Sequence, residues 1–261
     1  LNCLMHFYKY QGTGNDFVVV DDRAKTFGLD QEAIALLCHR RFGIGADGFM
    51  LLQEAEGYDF RMVYYNSDGT EGTMCGNGGR CLVRFAADLG IVTEKAHFIA
   101  VDGPHLAYIT PETISLQMMD VPGIEQHNDD YFTNTGSPHF VRFTNQVQFY
   151  DVKNTGAAIR YSEAYQPMNG TNANFVEKLD DQTLFVRTYE RGVEDETYSC
   201  GTGVTAAALV AKTFKNVQTP IKIKTLGGEL AVNFDGDAIT GFTNIFLIGP
   251  AKQVFTGTIS A

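Results

Sequence analysis

The most constraining feature of this sequence is a short element that occurs twice. Cys75-Gly76-Asn77-Gly78 and Cys200-Gly201-Thr202-Gly203 each place a cysteine directly before Gly-x-Gly, and each precedes an apolar run with helical character, at 81–89 and 204–211. Glycines allow a tight turn that exposes backbone N–H groups. We therefore predict that each cysteine lies at the start of a helix.

A cysteine in that position is chemically useful. A helix N-terminus favours an anion by about 0.3–1 kcal/mol, and thiols there can have pKa values lowered from ~8.5 to roughly 3.5–7.5. The neighbouring N–H groups can hold a carboxylate. Two such elements facing each other would form a site with two thiol acid/base groups, Cys75 and Cys200.

The two cysteines lie 125 positions apart in a chain of 261 residues, which indicates an internal repeat. We predict an α/β (α+β) fold of two similar lobes, residues 1–118 and 119–248, with a cleft between them. A helix is predicted over 29–41, with Asp30 as its N-cap. Strands are predicted at 7–10, 17–20, 49–52, 60–65, 96–101, 106–110, 113–118, 139–143, 147–150, 184–189, 221–225, 229–234, 238–243 and 245–248.

Composition excludes several classes of protein. A net charge of −11 argues against a nucleic-acid partner, because such binding depends on Lys and Arg. No stretch has the length of a membrane span, so we expect no membrane partner and a cytoplasmic location. Five cysteines without a Cys-x-x-Cys pair, at positions 3, 38, 75, 81 and 200, indicate neither a disulfide framework nor a metal site.

One motif is misleading. Gly43-Ile44-Gly45-Ala46-Asp47-Gly48 has the letters of a dinucleotide-binding fingerprint, but a predicted helix precedes it and a predicted strand follows it. The fingerprint requires the reverse order. We interpret this segment as a tight loop.

Other polar residues have both a structural and a functional interpretation. Glu190 and Arg191 form either a solvated ion pair or a carboxylate-binding group. His139 is either a structural histidine or a proton-transfer partner of a thiol. Asn15, Asn66 and Asn172 lie in turn-like contexts, where asparagine is common, yet neutral amides also suit the recognition of an amino acid. A disulfide between Cys75 and Cys200 is the main structural alternative for the thiols.

Taken together, these motifs resemble the diaminopimelate epimerase family over nearly the whole chain. The matching segments are Gly12-Thr13-Gly14-Asn15-Asp16-Phe17, 41–48, Asn66-Ser67-Asp68-Gly69, 74–81, Gly136-Ser137-Pro138-His139, Asn172-Ala173-Asn174-Phe175, Glu190-Arg191-Gly192 and Cys200-Gly201-Thr202-Gly203.

The resemblance implies two pseudo-symmetric lobes, each a sheet wrapped around a central helix, with residues 249–261 returning to the first lobe, and usually a homodimer. It implies epimerisation of the small-molecule substrate diaminopimelate, in lysine and cell-wall precursor synthesis, without cofactor or metal. Cys75 would act as base and Cys200 as acid on the L,L form. His139 and Glu190 would assist the thiols, and the N–H groups at Gly76, Asn77, Gly201 and Thr202 would hold the reacting carboxylate. Asn15, Asn66, Asn172, Glu190 and Arg191 would bind the remainder of the substrate.

The sequence departs from the family pattern in three places. Gly48 stands where some members have Gln, Ser137 stands where many have Asn, and the segment from Glu190 to Cys200 is one residue longer.

Two alternatives remain open: a proline or hydroxyproline racemase-like enzyme, whose first motif has His where Asn77 stands, and an isomerase-like or non-catalytic relative such as the phenazine-biosynthesis type.

Overall fold

The computed structural model describes residues 4–260, and Cys3 and the last residue of the predicted segment 249–261 lie outside that range. The chain divides into two compact units. Leu1–Leu116 and Gly249–Ala261 form the first, and Gln117–Ile248 form the second. Across residues 4–260, the helices are all too short or too polar to cross a membrane.

The elements follow one another along the chain in an order that repeats. They are β1 (Leu4–Gly12), β2 (Asn15–Asp21), α1 (Gln31–Cys38), β3 (Gly48–Gln53), β4 (Phe60–Asn66), α2 (Gly76–Asp88), β5 (Lys95–Ala100), β6 (Gly103–Ile109), β7 (Ile114–Gln117), β8 (Glu125–His127), β9 (Asp130–Asn134), β10 (Pro138–Phe143), α3 (Val152–Arg160), β11 (Asn172–Lys178), β12 (Thr183–Glu190), β13 (Asp195–Thr197), α4 (Gly201–Lys215), β14 (Ile221–Thr225), β15 (Gly228–Asp237), β16 (Gly241–Gly249) and β17 (Lys252–Ser260).

The strands of the first unit pair in the order β17-β1-β2-β3-β4-β5-β6-β7. The pairs β2/β3 and β4/β5 are parallel, and the other pairs in this series are antiparallel. Parallel neighbours need a long crossover connection. Here α1 joins the first parallel pair and α2 joins the second.

The second unit repeats this arrangement with the order β8-β9-β10-β11-β12-β14-β15-β16. Its parallel pairs, β10/β11 and β12/β14, fall at the same places in the series, and α3 and α4 make the crossovers. The strand β13 adds to β12 as a short hairpin. The internal repeat expected from the two cysteine elements is therefore present in the topology of each unit.

The second helix of each unit is buried on all sides. Helix α2 contacts β1, β2, β3 and β6, and its buried residues run from Gly76 to Val83. Helix α4 contacts β9, β10, β11, β12 and β15, and residues 203–211 are all buried. A helix surrounded by apolar contacts belongs to the centre of a core. The sheet of each unit therefore surrounds a central helix, as expected.

The first helix of each unit covers the opposite face of its sheet. Ile34 and Leu37 of α1 pack with Val18, Phe49 and Leu51, which alternate with the residues that face α2. Asp30 caps α1 by accepting a hydrogen bond from the backbone N–H of Ala33 at 2.9 Å, as predicted. Because helices lie on both faces, strands such as β2 are buried almost continuously.

Several parts of the sequence-based assignment are wrong. Residues 147–149 form a 3₁₀ helix instead of a strand, and residues 238–240 lie in the turn before β16. Helix α1 ends at Cys38 and not at residue 41, because the chain turns back there. In this turn the N–H of Ile44 donates to the carbonyl of Leu37. The sequence analysis also missed α3 and the strands β8, β9, β11 and β13. Helix α3 was missed because it is short and mostly polar, so packing on β11 and β12 stabilises it more than its own apolar pattern.

The contact between α3 and β12 predicts the effect of one substitution. Gly156 of α3 lies so close to β12 that a Cβ at this position would overlap the Cβ of Tyr189. Replacing a helical glycine with alanine normally gains about 1 kcal/mol, but overpacking costs roughly 1–3 kcal/mol. We therefore expect Gly156→Ala to lower the free energy of unfolding, measured by urea denaturation. Gly28→Ala, where a Cβ meets open space, serves as the control and should change it little. A more stable Gly156→Ala protein would contradict this packing.

Candidate active site

Cys75 occupies the N-cap of α2. Its backbone is extended, with φ −94° and ψ 129°, and its carbonyl accepts the first helical hydrogen bond from Gly79 N–H at 2.7 Å. The N–H groups of Gly76 and Asn77 precede that bond, so the helix itself supplies them with no acceptor. The first predicted cysteine position is therefore confirmed.

Cys200 has the same position in α4. Its φ and ψ are −113° and 114°, and its carbonyl accepts from Val204 N–H at 3.0 Å. Gly201 and Thr202 begin the helix as Gly76 and Asn77 do in α2. Neither Cys75 nor Cys200 forms a disulfide bond.

The other described cysteines have a different environment. Cys38 and Cys81 are buried, and burial raises the pKa of Cys38 to about 11 and of Cys81 to about 12. Both therefore remain protonated at neutral pH. Cys81 therefore belongs to the core of the first unit.

In the first unit, two asparagines connect with Cys75. The Cys75 thiol donates to Asn15 Oδ1 at 3.7 Å, and Asn77 Nδ2 donates to the same oxygen at 3.3 Å. Asn15 Nδ2 donates to Asp47 Oδ2 at 2.7 Å, which fixes the orientation of the amide because a carboxylate only accepts. The hydrogen bond to Asn15 stabilises the protonated form of Cys75.

A charged cluster holds Asn15 in place. Arg40 binds both Asp16 and Asp47 at 2.6 Å, and the buried Lys9 pairs with Asp16 and donates to the carbonyl of Gly45. Burial opposes ionisation of Asp16, but the hydrogen bonds from Arg40 and Lys9 outweigh it and lower its pKa to about 2. The sequence analysis did not identify this cluster, whose members are spread over residues 9–47.

Arg80, in the second turn of α2, is completely buried. It donates to the carbonyl of Gly76 at 3.2 Å, to Thr13 Oγ1 at 3.3 Å and to Asn77 Oδ1 at 2.9 Å. Within residues 4–260 no carboxylate forms an ion pair with it, and its Nε has no hydrogen-bond partner. Burial lowers the pKa of Arg80, while the neighbouring thiols Cys81 and Cys75, when ionised, would raise it. Arginine remains charged in proteins, so Arg80 is a buried cation that favours the thiolate of Cys75.

Gly48 begins β3 and Asn66 ends β4, so both lie at the end of the sheet where β2 begins. Gly48 pairs with Phe17 on one side and with Asn66 on the other. Asn66 Nδ2 donates to Thr70 Oγ1 at 3.2 Å, so this side chain faces its own turn. A Cβ on Gly48 would lie 2.6 Å from the Tyr64 ring, which explains why a larger residue is absent here.

In the second unit, His139 and Thr202 connect with Cys200. His139 Nε2 lies 2.8 Å from Thr202 Oγ1, which lies 3.5 Å from Cys200 Sγ. Ser137 Oγ lies 3.0 Å from His139 Nε2. Burial and the positive charge of Arg191 lower the pKa of His139 to about 3. His139 is therefore neutral at physiological pH.

Asn172 positions Arg191. The Asn172 Oδ1 accepts from Arg191 N–H at 2.9 Å, and its Nδ2 donates to Pro138 O at 2.9 Å and to Ser137 Oγ at 3.2 Å. Glu190, at the end of β12, accepts from Thr197 Oγ1 at 2.9 Å. The second unit thus groups Cys200, Thr202, His139, Asn172 and Arg191, while the described bond of Glu190 leads to β13.

Sequence analysis missed Asn174 as a site residue. It lies two positions after Asn172 in β11, so both side chains point to the same face of the sheet. That spacing was visible in the segment Asn172-Ala173-Asn174. Among the described residues, His, Cys, Asp and Glu side chains form no group of three that could hold a metal ion.

Comparison with known proteins gives consistent results. The sequence model of the family "Diaminopimelate epimerase" matches residues 7–119 and 131–254. The diaminopimelate epimerase of Flavobacterium psychrophilum is 53% identical over 258 residues, which cover 98% of this chain and all of that protein. The enzyme of Chlorobaculum tepidum is 42% identical over 95% of this chain and 99% of its own length.

Solved structures confirm the fold class. A phenazine biosynthesis protein of the PhzF family from Bacillus anthracis matches with a TM-score of 0.77 at 13% identity, over 98% of this chain and 99% of that one. A probable proline racemase from Agrobacterium radiobacter matches with a TM-score of 0.70 at 14% identity, over 98% and 92% of the two chains. At such low identity these likenesses concern the fold alone.

The buried cation at Arg80 leads to a prediction about Cys75. Arg80→Met removes a positive charge that favours the thiolate, so alkylation of Cys75 by iodoacetamide should slow by roughly tenfold or more. The rate is followed by mass spectrometry of the Cys75 peptide. Arg84→Met, on the same helix but bonded to the carbonyl of Thr110, is the control and should leave the rate unchanged. Equal rates in wild type and Arg80→Met would contradict the electrostatic role.

Proposed function

Since the chain belongs to the diaminopimelate epimerase family, we propose that it interconverts the L,L and meso forms of diaminopimelate. The observation that carries this proposal is the presence of two cysteines, Cys75 and Cys200, each at the N-cap of a buried helix. A thiol at such a position can alternate between acid and base.

The reaction requires the two thiols to act on opposite faces of one α-carbon. With the L,L substrate, the Cys75 thiolate removes the α-proton and becomes a thiol, while the Cys200 thiol protonates the opposite face and becomes a thiolate. Configuration inverts and no proton is gained or lost overall. The meso substrate uses the reverse roles.

The intermediate needs strong stabilisation, because the α-proton of an amino acid is a very weak acid. Charge that develops on the substrate carboxylate is best stabilised by donors that are already oriented. The N–H groups of Gly76, Asn77, Gly201 and Thr202 fit this role, because they begin their helices and the helix dipole favours an anion there. No cofactor enters this mechanism.

The remaining polar residues are assigned to substrate recognition. Arg191 supplies a cation for the distal carboxylate, and Asn15, Asn66 and Asn172 bind the distal amine and carboxylate. Glu190 assists this recognition and, together with His139, supports the thiols. The cluster around Asp47 supports the role of Asn15 by fixing its amide, and Asn172 supports the placement of Arg191 through its backbone.

The product serves lysine and cell-wall precursor synthesis in the cytoplasm under this proposal. The alternative is a proline or hydroxyproline racemase-like activity on the same fold. Asn77 in the first cysteine element and the cation of Arg191 favour a substrate with a second amine and carboxylate, which proline lacks.

The central test is exchange of the α-proton in deuterated water with reductant present. Wild-type protein should incorporate deuterium into L,L-diaminopimelate and form the meso isomer, with no exchange on L-proline. Cys75→Ala and Cys200→Ala should each lower the epimerisation rate by at least roughly 10²–10⁴-fold, because each removes one acid/base group. Cys38→Ala, a buried thiol of the core, is the control. Exchange on proline alone would move the protein to the racemase alternative.

The chain is also proposed to form a homodimer, and β17 supports this. Leu4 of β1 and Val254 and Phe255 of β17 are large apolar side chains with 72%, 58% and 45% of their surface exposed. The described strands pair with β17 only through β1, so its other edge has main-chain groups available to a partner. Exposed apolar groups at an unpaired edge are typical of an interaction surface.

Val254→Asp tests this proposal. A charge at the centre of the interface should convert the dimer to monomer, measured by sedimentation velocity at micromolar concentration. Val101→Asp is a matched control in the same unit, because Val101 is 57% exposed but lies away from β17. A wild-type monomer would disprove the dimer, and a dimer that survives Val254→Asp would remove β17 from its interface.

A further inference from the structure

His139, Thr202 and Cys200 form a hydrogen-bonded chain whose direction is fixed by two buried asparagines. We propose that Asn174 and Thr202 are positioning residues: Asn174 holds neutral His139 with its proton on Nε2, and the Thr202 hydroxyl then donates to Cys200 Sγ and favours the thiolate. This inference deepens the epimerase function proposed above.

The amide of Asn174 is completely buried. Its Nδ2 lies 2.7 Å from the carbonyl oxygen of Phe140, which can only accept. Its Oδ1 lies 2.9 Å from Thr188 Oγ1, which donates to it. The amide nitrogen therefore also faces His139 Nδ1, at 3.1 Å.

The neutrality of His139 determines which of its ring nitrogens carries the proton. A neutral imidazole has one protonated nitrogen and one acceptor nitrogen. Since Asn174 Nδ2 donates to Nδ1, the proton lies on Nε2. His139 Nε2–H then donates to Thr202 Oγ1 at 2.8 Å, with Ser137 Oγ as a second acceptor at 3.0 Å.

Asn172 and His139 orient the hydroxyl of Ser137. The carbonyl oxygen of Pro138 can only accept, so the Asn172 atom beside it is Nδ2. The same nitrogen donates to Ser137 Oγ at 3.2 Å. Because His139 Nε2 is already protonated, the Ser137 hydroxyl donates to Thr202 Oγ1 at 3.3 Å. Two independent donors thus reach the lone pairs of Thr202 Oγ1.

The hydrogen-bonded chain ends at the Cys200 thiol. Thr202 Oγ1 accepts from His139 and Ser137, so its own proton is available to Cys200 Sγ at 3.5 Å. A hydrogen bond donated to a sulfur stabilises its anionic form. Asn15 Oδ1, in contrast, accepts from the Cys75 thiol. In the two-base reaction, a Cys200 thiolate is the form that accepts a proton from the meso substrate.

This chain also limits what His139 can do. Its Nδ1 is occupied by a donor and its Nε2 already carries a proton, so it cannot accept a proton from Cys200. His139 therefore acts as a fixed hydrogen-bond donor in the resting protein. The positive charge of Arg191 further disfavours the imidazolium form of His139.

The first test is the nitrogen-15 NMR spectrum of the imidazoles in the intact protein at neutral pH, with the His139 signals assigned by comparison with His139→Gln. We expect Nε2 to show the shift of a protonated nitrogen and Nδ1 that of an unprotonated one. Protonation on Nδ1, or on both nitrogens, would overturn the proposal.

The second test is the rate of Cys200 alkylation by iodoacetamide, measured by mass spectrometry at neutral pH. Thr202→Val keeps the shape but removes the hydroxyl, and should slow the reaction roughly tenfold to a hundredfold. Thr202→Ser should restore the wild-type rate, and Cys75 provides an internal reference in every sample. Thr213→Val, later on the same helix and bonded to the carbonyl of Leu209, should have no effect.

An unchanged rate in Thr202→Val, or a slow rate in Thr202→Ser, would overturn the proposal. Neither test uses diaminopimelate, so their outcomes do not depend on the epimerase assignment. Failure of deuterium exchange on diaminopimelate would remove the proposed function without affecting the measured tautomer or thiol reactivity.

Discussion

The first turn of a buried helix exposes N–H groups that the helix itself cannot satisfy, and this constraint governs both units of the protein. Helices α2 and α4 lie at the centres of their sheets, and Cys75 and Cys200 cap them without a side-chain hydrogen bond to the helix. Ser, Thr, Asp and Asn are the residues preferred at this N-cap position. A cysteine cap places an ionisable sulfur beside the first N–H groups of the helix.

The glycines after each cysteine follow from the same constraint. A Cβ on Gly203 would overlap the amide oxygen of Asn174, and a Cβ on Gly78 would lie 3.2 Å from the sulfur of Met50. The core therefore closes tightly around the start of each helix. Such packing leaves no room for a side chain at either glycine.

The two repeats share this geometry but differ in charge. Five residues after each cysteine, the side chain bonds the carbonyl of the first helical residue: Arg80 to Gly76 at 3.2 Å, and Thr205 to Gly201 at 2.9 Å. Only Arg80 brings a positive charge. Cys75 therefore experiences a cation together with a hydrogen-bond acceptor, Asn15, whereas Cys200 faces the hydroxyl of Thr202. Such unequal surroundings suit the opposite protonation states that the proposed two-thiol mechanism requires.

The sequence by itself determined the repeat, the position of both cysteines at helix starts, the α/β class and the family. These features depend on local rules: glycine conformations, helix periodicity and a series of short motifs. It did not determine α3, β11 or the 3₁₀ helix at 147–149, because those segments are stabilised by contacts with distant strands. Only the tertiary structure decided that Arg80 is a buried cation and that Asn174 orients His139. Hydrogen-bond direction and burial depend on groups far apart in the chain, which a linear pattern does not specify.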